Sequence, residues 1–157
     1  CKIKNPDCSI CVIKTICFAY NNQEVDALPI KSRKLKIKNR FLIFLMIKTE
    51  KGVLISKKLS GIWKGLYEFP HFECSQEIFN NNLINSIEWK EFFKNKSYKI
   101  DAFSNIFIHN LSHQKIHARC YIIKSNKFFI EDCIFVDENK ISRYPVSVLM
   151  QKFLKIL

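Results

Sequence analysis

Seven consecutive apolar residues, 41–47 (Phe-Leu-Ile-Phe-Leu-Met-Ile), stand between Arg40 and Lys48. The run is shorter than most helices, and because it does not alternate with polar residues neither of its faces can be left to water. It predicts a strand buried on both sides, and so a sheet with a covering layer on each face. Glu50-Lys51-Gly52 then reads as a tight turn, and residues 53–56 as the hairpin partner of that strand.

The rest of the chain supplies such layers. Ser75 can cap a helical segment in which Ile78, Phe79, Leu83, Ile84 and Ile87 are spaced for one apolar face, with Trp89, Phe92 and Phe93 extending or restarting it. Tyr144-Pro145 opens a terminal helix carrying Val148, Leu149, Phe153, Leu154 and Leu157. Between them, residues 98–102, 127–130 and 134–136 read as short strands. At 157 residues there is material for one such domain and a short appendage.

No run reaches the roughly 18 uncharged apolar residues of a membrane helix. The chain opens on Cys-Lys-Ile-Lys, so no signal peptide is expected, and a first residue other than Met points to a fragment or a processed chain. The net charge of +12 is uneven: residues 1–64 carry fourteen Lys and Arg against four Asp and Glu, residues 65–157 twelve against ten. That asymmetry points to a polyanionic partner, with nucleic acid the foremost candidate.

Cys1, Cys8, Cys11 and Cys17 form C-x6-C-x2-C-x5-C, four thiols in seventeen residues. Thiolates so close in sequence can close around one metal centre, and soft sulfur selects zinc or an iron-sulfur cluster. Disulfides are the alternative, but Cys74, Cys120 and Cys133 are scattered and make the total odd. Residues 18–38 read as a linker, with Asn21-Asn22, Pro29 and a series of lysines.

Two further stretches carry chemistry. Residues 59–72, Leu-Ser-Gly-Ile-Trp-Lys-Gly-Leu-Tyr-Glu-Phe-Pro-His-Phe, hold two of the three glycines, so Gly61 and Gly65 are expected where the backbone needs positive φ or close approach. Residues 106–123 read as two strands flanking a polar corner at 110–112. His109, His113 and His117 recur every four residues and would line up as metal ligands on a helix, but β-branched neighbours and period-two alternation favour strands.

These stretches together resemble the MutY family of adenine DNA glycosylases. W-x-G-L-x-x-F-P, from Trp63 to Pro70, is similar to the segment in that family's C-terminal domain, whose fold is Nudix-like. The cysteine spacing is similar to the iron-sulfur loop of the endonuclease III and MutY glycosylases, and P-x-x-x-L-x-x-K-F-L, from Pro145 to Leu154, also fits the family. The corner Leu111-Ser112-His113 resembles the family's Phe-Ser-His loop, with Leu111 in place of Phe.

The resemblance implies an α+β fold: a Nudix-like mixed β-sheet flanked by helices (39–157), preceded by an iron-sulfur loop (1–17) and an interdomain connector (18–38). It implies a 4Fe-4S cluster on Cys1, Cys8, Cys11 and Cys17, DNA phosphate contacts from Lys2 and Lys4, and 8-oxoguanine recognition by Leu111, Ser112 and His113. It also implies a parent that removes adenine mispaired with 8-oxoguanine, acting as a monomer in the bacterial cytoplasm on double-stranded DNA. The resemblance places the catalytic Glu and Asp in a glycosylase domain upstream of Cys1, so no catalytic residue and no activity are expected of this piece alone. Ser112 has a chemical rationale of its own: oxidation at C8 turns guanine N7 from an acceptor into an N–H donor, which a hydroxyl oxygen can accept.

Two other functions fit parts of the sequence. A Nudix pyrophosphohydrolase acting on oxidised nucleotides needs G-x5-E-x7-R-E-x-x-E-E-x-G to hold divalent metal, whereas residues 71–82 have neither an Arg-Glu nor a Glu-Glu pair, only Glu73 and Glu77. A partner-binding module with structural zinc would use the same cysteines and lack the colour of iron.

Overall fold

The computed structural model describes residues 2, 5–28, 30 and 36–155, with Asn81 described by its backbone alone. The chain divides into two compact units, residues 1–36 and residues 37–157.

In the first unit a 3-10 turn, Lys14–Ile16, is followed by a single helical turn, α1 (Phe18–Asn21), where the sequence read as linker. Neither contains a buried residue, and Ile10, Val12, Ile16 and Phe18 are exposed.

The second unit is built on one mixed sheet. Its strands are β1 (Lys38–Thr49), β2 (Gly52–Lys57), β3 (Tyr67–Glu68), β4 (His71–Cys74), β5 (Lys99–Phe103), β6 (Phe107–Asn110), β7 (Gln114–Lys124) and β8 (Cys133–Val136). β1 is the spine. It pairs in parallel with β7 from Lys38 opposite Gln114 to Lys48 opposite Lys124, and antiparallel with β4 and with the start of β2. β2 pairs with β3 and β8, and β7 carries β5 and β6 on its far side.

Alternation along β1 sorts its apolar run between two cores. Leu42, Phe44 and Met46 join Val53, Ile55, Ile116, Ala118 and Cys120 under helix α3 (Val148–Leu154), which contributes Leu149, Met150 and Phe153. Ile43, Leu45 and Ile47 join Leu54, Tyr121 and Ile123 beneath Phe79, Leu83, Trp89 and Phe93. Residues 42–47 are each no more than 3% exposed, as the unbroken run predicts. Each such side chain stabilises the fold by roughly 1.5–3 kcal/mol relative to leaving it in water.

The helical layers differ from the sequence expectation. Residues 78–93 do not form an even amphipathic helix: a π turn (Ile78–Asn82) runs into a 3-10 turn (Leu83–Asn85), and helix α2 (Ile87–Phe92) restarts after Ser86. Ser86 is extended, at ψ 156°, and its hydroxyl accepts from the Trp89 N–H at 3.1 Å as an N-cap. The break resets the periodicity, so Ile84 and Ile87 are 50% and 72% exposed, and Trp89 and Phe93 take the buried positions.

In α3, Ser147 caps at Met150, Val148 turns outward and Met150 turns inward; Leu157 lies outside the described residues. Residues 127–130 belong to no strand: Phe128 is buried by its side chain, without ladder pairing among the described residues.

Candidate functional site

The polar corner is the tip of the β6–β7 hairpin. Phe107 to Asn110 pair with Ala118 to Lys115, and the Leu111 N–H donates to the Gln114 carbonyl at 2.8 Å, which closes the turn. Leu111 is half-buried and packs against the α3-side core, while Ser112 and His113 are exposed. The Lys38 N–H donates to the His113 carbonyl at 3.1 Å, so the start of β1 holds the tip from the other side. Ser112 thus stands on a loop fixed by backbone bonds at both ends and by a half-buried leucine.

The three histidines of this region do not converge. His109 lies opposite Ile116 and His117 opposite Ile108, so adjacent rungs send them to opposite faces. His109 meets the Trp63 ring edge-on at 5.6 Å, whereas His117 stacks on Phe41 at 4.7 Å and lies 3.2 Å from the Asn39 side-chain oxygen. Desolvation, with Lys115 adding to it, lowers the His117 pKa from 6.5.

Basic groups surround the tip. Lys38 is exposed and Lys115 half-buried. Arg40 grips Glu73 with Nε and Nη2, at 2.8–3.2 Å, and reaches Gln114 through Nη1 at 3.3 Å. The hydrogen bond to Glu73 raises the Arg40 pKa and, reciprocally, holds Glu73 below the usual carboxylate range. Glu73, one of the two carboxylates in the Nudix signature region, is therefore occupied, and Glu77 is exposed.

Beside the hairpin lies a cavity of about 210 Å³ lined by Arg40, Lys58, Ser60, Trp63, His71 and Ile116. The glycine-bearing loop forms its rim. The Lys58 N–H donates to Leu66 O at 2.9 Å and the Gly65 N–H to Lys58 O at 2.8 Å, with Gly61 at φ 72° and Gly65 at φ 86°. These are the positive angles expected of the two glycines. Trp63 itself lies at φ 66°, a strained region for a bulky residue, and its contact with His109 joins loop to hairpin.

Behind the loop the buried Glu68 carboxylate takes Lys58 Nζ at 2.8 Å and lies 3.6 Å from His71 Nδ1. Burial lowers the His71 pKa, outweighing the opposing pull of Glu68. Arg40, Lys58 and His71 were not singled out from sequence; Lys57-Lys58 just before the glycine loop was the local signal for one of them.

In the first unit, Cys8, Cys11 and Cys17 are free, half-buried thiols. The Cys11 N–H turns back to Cys8 O at 3.5 Å, and the Cys17 N–H closes the 3-10 turn on Lys14 O at 3.3 Å. Among the described residues no three His, Cys, Asp or Glu side chains gather to hold a metal. Cys1 and Lys4 lie outside the described residues, and Lys2 is exposed. The donor chemistry of the three described cysteines fits a soft metal or cluster: Cys8, Cys11 and Cys17 are uncrosslinked, half-exposed and on short spacers.

A mixed sheet with a helical segment over one face and a C-terminal helix over the other defines the class: residues 42–155 match the NUDIX domain family, and the chain belongs to it. Its curated relatives narrow the class. The chain is 31% identical, over 94% of its length, to the adenine DNA glycosylase of Buchnera aphidicola subsp. Baizongia pistaciae (strain Bp), and spans 39% of that protein. The MutY-family resemblance and the Nudix-like α+β fold are thereby borne out.

Among solved structures, the C-terminal domain of mouse MUTYH, crystallised with human PCNA, superposes with a TM-score of 0.58 at 15% identity, covering 74% of this chain and 86% of that one. The MutT protein of Methanosarcina mazei Go1 superposes at 0.54 and 16% identity, covering 78% and 94%. At such identities the likeness is one of fold. Among the described residues no helix is long and apolar enough to cross a membrane.

Proposed function

We propose that this chain is the lesion-reading part of an adenine DNA glycosylase that removes adenine mispaired with 8-oxoguanine. The observation that carries the proposal is Ser112, exposed at the tip of a hairpin whose backbone is fixed at both ends. From there its hydroxyl oxygen accepts the N7–H that only the oxidised base presents, while His113 is exposed beside it and Leu111 anchors the loop. The similarity to adenine DNA glycosylases supports this reading, as does the excess of Lys and Arg in residues 1–64.

Cleavage of the glycosidic bond belongs to a glycosylase part beyond these residues, so this chain alone binds DNA without excising adenine. It works as a monomer in the bacterial cytoplasm. Cys1, Cys8, Cys11 and Cys17 hold a 4Fe-4S cluster that orients the loop bearing Lys2 and Lys4 toward DNA phosphate. Reconstitution with iron and sulfide should give visible thiolate-to-iron absorption that Cys8→Ser abolishes; a colourless protein that retains zinc would refute the cluster.

The test of the main reading compares duplexes carrying 8-oxoguanine or guanine opposite adenine. Ser112→Ala should erase a preference worth about 1–3 kcal/mol while leaving affinity for the guanine duplex unchanged. An equal loss on both duplexes contradicts the role. The Nudix fold also fits a pyrophosphohydrolase, which predicts Mg²⁺-dependent release of pyrophosphate from oxidised nucleotides. The occupation of Glu73 by Arg40 weighs against it.

A further inference from the structure

Among the described residues, the other half-buried arginine has no such partner. Arg119 lies on β7 opposite Ile43, five residues beyond Gln114, roughly 17 Å along the strand. Its guanidinium carbon is 5.4 Å from the centroid of the Phe79 ring and 5.7 Å from that of Phe103. Its Nε is buried with no hydrogen-bond acceptor, and among the described residues no carboxylate comes within ion-pair distance. A buried donor left unmet lowers stability, and a charge held without a counter-ion adds to that cost. The chain itself supplies this guanidinium with neither a counter-ion nor an acceptor at Nε among the described residues.

The surroundings say what would meet it. Arg119 opens into a cavity of about 210 Å³ whose lining includes Phe79, Asn80, Asn82, Asn85 and Tyr121. Three carboxamides with N–H donors thus line the same space as a planar cation, and no acid lines it among the described residues. The asparagines come from the π turn and the 3-10 turn between residues 78 and 85. A regular α-helix there would aim successive side chains 100° apart; the wider turn is a common device at functional sites. Two aromatic rings flank the guanidinium, a planar fork suited to bidentate contact with an oxyanion.

We propose that this cavity is a phosphate-binding site, in which Arg119 takes two oxygens of a phosphoryl group and Asn82 and Asn85 donate to the others. The phosphoryl group can be that of a DNA backbone, which rests on the reading above, or that of a free phosphorylated small molecule, which does not. The site is separate from the hairpin tip, so substitution here alters phosphate affinity and leaves the discrimination by Ser112 unchanged.

The probes are inorganic phosphate and an undamaged DNA duplex. Millimolar phosphate should raise the thermal midpoint of the unsubstituted chain and shift its Asn82 and Asn85 amide resonances, and Arg119→Gln should abolish both responses. Arg119→Lys should weaken the response without removing it, since it keeps the charge and loses the fork. A response equal in the unsubstituted chain and Arg119→Gln, or absent from both, overturns the site. If Arg119→Gln does not fold, Asn82→Ala combined with Asn85→Ala decides: an undiminished response overturns it. On the duplex, Arg119→Gln should lower the slope of log affinity against log salt by about one if the phosphate is DNA's. An unchanged slope with a lost phosphate response assigns the site to a small ligand.

Discussion

The two units put the same kind of side chain to opposite uses. In residues 1–36 three described cysteines sit half-exposed on short turns, and apolar side chains such as Val12 and Ile16 face outward. In residues 37–157 Cys74 and Cys120 are buried in the two cores; burial pushes the Cys120 thiol up to about 12 and is the main cause of the rise of Cys74 to about 11. The sulfur of Cys74 and Cys120 is core volume, inert toward metal and alkylating agents, whereas Cys133 is half-buried. In the first unit, under the cluster proposed above, sulfur would bring order to a piece with little core from a ligand and not from packing.

The largest expected effect tests the packing half of that contrast. Trp89 is 1% exposed, its indole N–H donates to the Tyr98 hydroxyl at 2.8 Å, and it is surrounded by aromatic rings. Trp89→Ala should cost about 3–5 kcal/mol in chemical denaturation. A loss below about 1 kcal/mol would mean that this core is not closed.

Alkylation comes next. At pH 8 in metal-free protein, Cys8, Cys11 and Cys17 should label in the native state. Cys120, with a pKa of about 12 and hence a thiolate fraction of about one in ten thousand, should label only on unfolding. Mass spectrometry after a short pulse reads the two classes directly, and equal labelling would erase the distinction.

A smaller effect is the pH dependence of the second unit. Burial lowers the His71 pKa in the fold from its ordinary 6.5, so the unfolded chain binds the proton more readily. The contribution of this histidine to stability is therefore intact above 6.5 and falls as pH drops below it toward the folded pKa. Urea midpoints between pH 8 and pH 5 should decline, and His71→Gln should flatten part of the decline. The smallest effect lies in the first unit: Val12, 96% exposed, should tolerate Ala within about 0.5 kcal/mol.

Much of the second unit was legible because its signals are local. An unbroken run at 41–47, a glycine turn at 52 and alternation after Gln114 each name a strand without help from elsewhere. Ile84 and Ile87 were misplaced because the period of 3.6 assumes an α-helix, and the π turn with the extended Ser86 changes the count. Residues 127–130 have strand-like composition, but a strand also needs a neighbour, which composition does not contain.

The site divides in the same way. The corner carrying Ser112 was legible, since a turn is four residues of sequence, whereas its role came only from the family resemblance. The triad of Lys58, Glu68 and His71 was not, because it assembles only once β2, β3 and β4 are in register, and neither was the unpaired state of Arg119, which is defined by what fails to come near it.

The parallel ladder between β1 and β7 has a consequence in time as well as in space. Its eleven rungs join residues 76 positions apart in the chain, with every other strand of the unit except β8 lying between them in sequence. No local hairpin can seed it, so nucleation must wait for a long loop to close, and contact-order arguments place such assembly among the slower single-domain reactions, at about milliseconds to seconds. During synthesis on the ribosome the strand that carries the longest apolar run among the described strands emerges well before the partner that covers its edge, and that interval is when the nascent chain is most exposed to aggregation.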